Sequence, residues 1–269
     1  RSGRASLQDM TMFAAGYPLF RNEGLELVHE LIAEQEDLRS ADFGSNGPNP
    51  DEPNLGPNGP KNSLPSAGNY RIHNEHLGEG GQRTKADRNI EAIRTLMTIE
   101  GEARSATTAE QEVLAQYVGW GGIPQIFDED HADWSERREA LKELLTPEEF
   151  ASARASTLNA HYTSPTVIRA IYQGLSNLGY RKGNILEPAC GIGNFFGMLP
   201  KEMAESKLYG VELDSVTGRI AQKLYPEAAI RIQGFEHSAL PDGFFDVAVG
   251  NVPFGAYSLP DPKYDRYHF

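Results

Sequence analysis

The chain has a single cysteine, Cys190, among 269 residues. A lone thiol excludes an internal disulfide and a cysteine-based zinc cage. Long apolar runs are missing as well: none approaches the roughly 18 residues that a bilayer crossing needs, and no basic-then-apolar leader follows Arg1. A soluble, cytoplasmic protein is the expectation, and a chain that does not begin with methionine is expected to be a fragment. Positive charge is also scarce. The net charge is −13, and residues 161–269 hold 10 Lys+Arg against 11 Asp+Glu, so residues 1–160 carry −12 of it. Phosphate contacts draw on clusters of Lys and Arg, so this balance argues against a piece that grips nucleic acid unaided. The histidines at 73, 76, 131, 161, 237 and 268 share no metal-ligand spacing, and no serine, histidine and acid set is present. No metal is expected.

Apolar residues make up 39% of the chain, somewhat low for a wholly packed globule. The shortage is concentrated in residues 44–69, where 20 of 26 are Gly, Pro, Asn or Ser. Such a segment buries too little surface to offset the cost of ordering it, and it reads as a disordered linker. Within residues 1–43, Leu25, Val28, Leu31 and Ile32 recur at helical spacing among carboxylates, which predicts an exposed amphipathic helix.

Residues 70–158 read as a helical accessory region. Ile90, Ile93, Leu96 and Met97 mark one face of a helix ending near Gly101. Thr108-Ala109-Glu110-Gln111 has the form of a capping box, opening a helix that would bury Val113, Leu114, Tyr117 and Val118 and stop at Gly119. A third helix is expected over 135–145, and Thr146-Pro147-Glu148-Glu149 starts a fourth. Trp120, between glycines, could stack on a base or a cofactor lid; a core anchor at a sharp turn is the expected role.

From residue 159 the order changes to apolar strand, glycine-rich turn, helix, strand, carboxylate. Ile185-Leu186 leads into Glu187-Pro188-Ala189-Cys190-Gly191-Ile192-Gly193, and after Asn194 to Leu199 comes Leu208-Tyr209-Gly210-Val211-Glu212. In doubly wound sheets a ligand sits beyond the carboxyl ends of the strands, and a carboxylate about 20 residues after the glycines takes ribose hydroxyls. Glu212 stands 19 residues after Gly193. Phe244 to Gly250 reads as a buried strand that delivers Asn251-Val252-Pro253-Phe254-Gly255 to its end. An amine attacking a methyl sulfonium needs its lone pair directed at carbon. The Asn251 side-chain oxygen and the Val252 carbonyl would hold its hydrogens, and Phe254 would stack on a planar base.

At these residues the chain resembles the adenine-amino DNA methyltransferases. That resemblance covers about residues 159–257 and implies an α/β, Rossmann-like S-adenosylmethionine-dependent methyltransferase sheet over residues 159–269, cut short at its C-terminus. By it, Glu187, Ala189, Cys190, Gly191 and Gly193 form the cofactor loop, Glu212 takes the ribose and Leu213 packs on the cofactor adenine. Thr163, in His161-Tyr162-Thr163-Ser164-Pro165 at the head of a helix over 167–175, would help to hold the methionine end. Two positions depart from the family pattern. Gly234-Phe235-Glu236 stands where relatives often have Asp before Phe, so Phe235 can stack and Glu236 would take over the polar contact. Val252 stands where Pro is usual.

A narrower likeness, carried by Tyr117-Val118-Gly119-Trp120-Gly121-Gly122 with the two motifs above, is to the very large helicase and methyltransferase fusions of phages, plasmids and conjugative elements. It implies double-stranded DNA as partner, a fused helicase, and a role in modifying or protecting mobile DNA. The acceptor motif itself leaves three readings open: methylation of adenine in DNA, methylation of a glutamine amide in a protein, and a non-catalytic DNA-binding or assembly module.

Overall fold

Short runs of branched and aromatic residues build the sheet that organises the molecule. A computed structural model describes residues 67–74, 77–158, 162–241 and 243–251. The expected N-terminal helix, the linker up to residue 66, His161, and everything from Val252 onward lie outside the described residues. Strands β1 (Asn184–Glu187), β2 (Lys207–Glu212), β3 (Ala229–Ile232) and β4 (Val247–Ala248) pair in the order β3-β2-β1-β4, all parallel. The register sets Leu186 beside Tyr209 and Ala248, and Glu212 beside Ile232. This α/β architecture is compatible with a Rossmann-like fold.

Alternation along the strands feeds two apolar layers. Ile185, Leu208, Ile230 and Val247 join the main core, whereas Leu186, Tyr209, Val211 and Ala248 form a second cluster with Phe244 and Phe245. Apolar cover on both faces explains why these strands read as continuous apolar runs. The ladder of β4 is shorter than the run over 244–250 suggests, because Phe244 and Phe245 turn onto Tyr209, with ring centroids 5.3 and 5.4 Å away. Asp246 secures the start of the ladder, its carboxylate accepting the Asn184 amide at 2.8 Å.

The helical region consists of α1 (Gln82–Gly101), α2 (Thr108–Leu114), α3 (Ser135–Leu144) and α4 (Pro147–Ala155); α5 (Pro165–Asn177) follows it, α6 (Asn194–Gly197) follows β1 and α7 (Ser215–Leu224) follows β2. The apolar face of α1 is buried at Ile90, Ile93 and Leu96, with Met97 at its margin. The capping box of α2 lies one residue earlier than the sequence suggests. Thr107 is the cap and Glu110 its partner, because Gln111 is turned inward, its amide donating to the carbonyls of Gly68, Lys223 and Leu224. Helix α4 has the expected box of Thr146 and Glu149. The segment after the glycine turn forms one helical turn rather than a helix to Leu199, as the Gly197 carbonyl accepts the Ile72 amide at 2.9 Å in place of a further helical bond.

The helical region and the sheet share one core. Residues of α1, α2 and α3 lie in the same apolar cluster as Ile168, Phe195 and Ile220. Polar ties cross the same boundary. Arg219 on α7 pairs with Glu100 at 2.7 Å and with Glu149, and Ser152 donates to Asp214 at 2.8 Å. Gly68 and Asn69, at the end of the expected linker, are hydrogen-bonded to Gln111 and to the Glu227 amide. No helix among the described residues is long and apolar enough to cross a membrane.

Candidate functional site

Parallel pairing sends the carboxyl ends of all four strands to one edge of the sheet, and most of the expected site residues lie there. The turn after β1 depends on Gly191 at φ 55° and Gly193 at φ 83°, both left-handed. A Cβ on Gly193 would lie 2.6 Å from the Tyr225 ring, and one on Gly191 would lie 3.2 Å from the Tyr162 ring. Cys190 donates its amide to the Val211 carbonyl at 3.0 Å. Its side chain is buried beside Gly210, where burial pushes the thiol well up. Its thiol donates to the Gly191 carbonyl at 3.6 Å, so the side chain braces the turn from within. Ala189 is half-buried in the same turn.

Two carboxylates end β1 and β2. Glu212 ties the turn: one oxygen accepts the Gly191 amide at 2.8 Å and the other the Asp214 amide at 2.8 Å. Burial raises its pKa, while those amide bonds act in the opposite direction. Glu187 is 3% exposed, and its Oε2 has no hydrogen-bond partner among the described residues. Burial first, then the charge of Glu212, pushes the Glu187 carboxyl well above the usual carboxylate range.

Beyond β2 and β3 the surface turns apolar. Leu213 is 74% exposed and Phe235 is 49% exposed, the two large hydrophobic side chains most open to solvent among the described residues. Exposed apolar side chains at strand ends suit a flat ligand. Glu236 follows Phe235 in the short turn Phe235–His237.

Beyond β4, the Val249 amide donates to the Leu186 carbonyl at 2.8 Å. Gly250 then passes beside Pro188 and Glu187, where a Cβ would be in ordinary van der Waals contact at 3.6 and 3.8 Å. Asn251 comes next, half-buried, and its Oδ1 is a buried acceptor without a partner among the described residues. Val252, Pro253 and Phe254 lie outside the described residues.

A cavity of ≈ 440 Å³ opens beside the glycine turn. Ile192 and Asn194 border it from the turn and Thr163 from the head of α5, while Lys85, Tyr117 and Val118 close it from the helical region. The share taken by the helical region was not read from the sequence. The polar set Gln82, Lys85 and Asn89 beside an apolar helix face was the available signal. Trp120 itself is a core anchor, 1% exposed and edge-on to Phe127 at 5.5 Å. No group of three or more His, Cys, Asp or Glu that could hold a metal occurs among the described residues.

No family model and no solved structure matches the chain. Two curated proteins are similar to it. Over 180 residues, 66% of this chain, it is 28% identical to Defense against restriction protein B of Escherichia phage P1, and over 71 residues, 26% of this chain, it is 34% identical to Modification methylase CviBIII of Paramecium bursaria Chlorella virus NC1A. The matched parts span 6% and 19% of those proteins' lengths. Together they support a methyltransferase-like relationship only weakly.

Proposed function

We propose that this chain is the catalytic part of an enzyme that moves a methyl group from S-adenosylmethionine to the exocyclic amine of adenine in double-stranded DNA. The observation that carries this reading is the Asn251 side-chain oxygen, buried and without a partner among the described residues, at the same sheet edge as the Glu187 turn. Burying an acceptor without a donor costs free energy, so such an atom points to a donor that arrives with a ligand.

The residues around the edge suit the cofactor. Glu212 retains acceptor capacity after its two amide bonds, enough for a vicinal diol. Leu213 and Phe235 offer apolar faces to a base. Glu187 offers a buried oxygen without a donor among the described residues, which a cationic ligand would satisfy. Thr163 borders the cavity on the far side of the turn, and the main chain of Ala189, Cys190, Gly191 and Gly193 frames the ligand. Glu236, next to Phe235, supplies a polar contact to the cofactor's adenine.

When bound, the cofactor supplies an electrophilic methyl on a positively charged sulfur. The work of this chain is to orient the amine. Asn251 Oδ1 and the Val252 carbonyl would accept its two hydrogens and so direct its lone pair toward the methyl that the cofactor would supply. Pro253 would restrict the backbone there, and Phe254 would stack on the base, which must leave the duplex to reach the site. The acidic chain calls for further DNA contacts, supplied by a fused helicase in a longer protein. Similarity to a defence-against-restriction protein suggests mobile DNA as the setting.

The test is incubation with methyl-labelled S-adenosylmethionine and unmethylated DNA, followed by digestion to nucleosides, for the wild type and Asn251→Ala. Label in adenine that depends on Asn251 is the expected result. Label in protein instead would move the acceptor to a glutamine amide, and binding without any transfer would leave a non-catalytic module.

A further inference from the structure

Helix α1 carries Gln82, Lys85 and Asn89 on one face, at successive spacings of three and four residues. The outer two clamp the glycine-flanked loop that follows α2. Gln82 donates to the Gly122 carbonyl at 2.6 Å. Asn89, fully buried, donates to the Gly119 carbonyl at 2.6 Å and accepts the Val118 amide at 2.8 Å. Both side chains are thus spent on holding the loop.

Lys85, between them, has a different environment. It is half-buried in the wall of the ≈ 440 Å³ cavity, and no carboxylate among the described residues holds its ammonium. Glu79 borders the same cavity and has an interaction of its own. A partly desolvated ammonium facing a cavity favours an anion there. Thr163 and Ser164 line the same cavity, and their hydroxyls can donate to that anion.

The position of the cavity indicates which anion fits. With the ribose on Glu212 and the base between Leu213 and Phe235, the rest of the cofactor must run along the glycine turn away from β2 and β3. Ile192 and Asn194 belong both to that turn and to the cavity. We propose that Lys85 is the counter-ion for the carboxylate on the cofactor's amino-acid group, so that the helical region completes the cofactor site. This rests on the S-adenosylmethionine reading above. The glycine-flanked loop then has a function beyond the core packing of Trp120: Tyr117, Val118 and Gly121 form the wall beside the amino-acid group.

The experiment compares binding of S-adenosylmethionine with binding of decarboxylated S-adenosylmethionine, which keeps the sulfonium and the amine but lacks the carboxylate. Both are titrated calorimetrically into the wild type, Lys85→Met and Lys85→Arg, with melting temperatures confirming that all three fold. Lys85→Met is expected to weaken the intact cofactor about tenfold, in the range of one charge-assisted contact. It should leave the decarboxylated form unchanged, and Lys85→Arg should retain most of the affinity. Equal losses for both ligands, or no loss for either, would overturn the assignment while leaving the cofactor reading intact. A backbone phosphate of DNA has the same charge, so a loss confined to DNA affinity would overturn it as well. A wild type that binds neither sulfonium sinks the assignment and the cofactor reading together.

Discussion

Glu212 accepts the main-chain amide of Gly191 at 2.8 Å, so the carboxylate at the end of β2 holds the turn that follows β1. Loop order therefore depends on one side chain, the same one proposed to hold the ribose. Glu212→Ala leaves two amides unpaired and is expected to cost about 2 kcal/mol of stability, the range for hydrogen bonds to a charged group. It should also abolish any preference for adenosine over 2′-deoxyadenosine, measured by calorimetry. A variant that keeps that preference would remove Glu212 from the ribose site.

The two glycines of the turn are not equivalent. Both need positive φ, which costs a substituted alanine roughly 1 kcal/mol. At Gly193 the added methyl also lies 2.6 Å from the ring of Tyr225, which is fully buried and cannot swing away. At Gly191 it meets the half-buried Tyr162 at 3.2 Å. Gly193→Ala should therefore lower the melting temperature clearly more than Gly191→Ala. Equal losses would show that the Tyr225 contact relaxes freely.

What could be read from the sequence was what the backbone demands locally. The glycine turn, the Thr146 cap and the strand runs depend on residues within a few positions of one another. The errors arose where a distant partner intervenes. The α2 box moved by one residue because Gln111 is drawn onto Lys223 and Leu224, over a hundred positions away. Helix α6 is cut to one turn where Ile72, from ahead of α1, lies against Gly197. Among the residues expected to form the site, Glu187, Gly191, Gly193, Glu212, Leu213, Phe235 and Asn251 gather at one edge because parallel pairing requires it. The contribution of Lys85 could not be seen, since helix spacing does not say which loop packs against a polar helix face.

Arg219 joins three elements. It pairs with Glu100 at the end of α1 and with Glu149 on α4, all three side chains partly buried. Pairs of this kind form a small network rather than isolated surface contacts, and Arg219→Met is expected to cost about 1 kcal/mol. The loss should shrink in high salt, since screening weakens the wild-type pairs and leaves methionine unaffected. Thermal melts of both proteins across a salt series test this, and a salt-independent difference would assign the effect to packing of the arginine stem.

Glu187 sets stability against binding. Its carboxyl is raised well above the usual range by burial and by Glu212. The folded state thus holds its proton more tightly than the unfolded chain does, and stability from this group is full below the ordinary carboxylate pKa. It is lost as pH rises through the raised value. Glu187→Gln keeps the shape and removes the charge, so without ligand it should melt higher than the wild type at neutral pH, and the two should converge in acid. The same variant should bind S-adenosylmethionine more weakly, because a neutral amide cannot balance a cationic ligand. For the wild type, affinity should rise with pH through the raised pKa, with a proton released on binding that calorimetry in buffers of different ionisation heat can count. A Glu187→Gln protein that gains no stability at neutral pH, or binds the cofactor as tightly as the wild type, would show that Glu187 meets another partner in the folded chain.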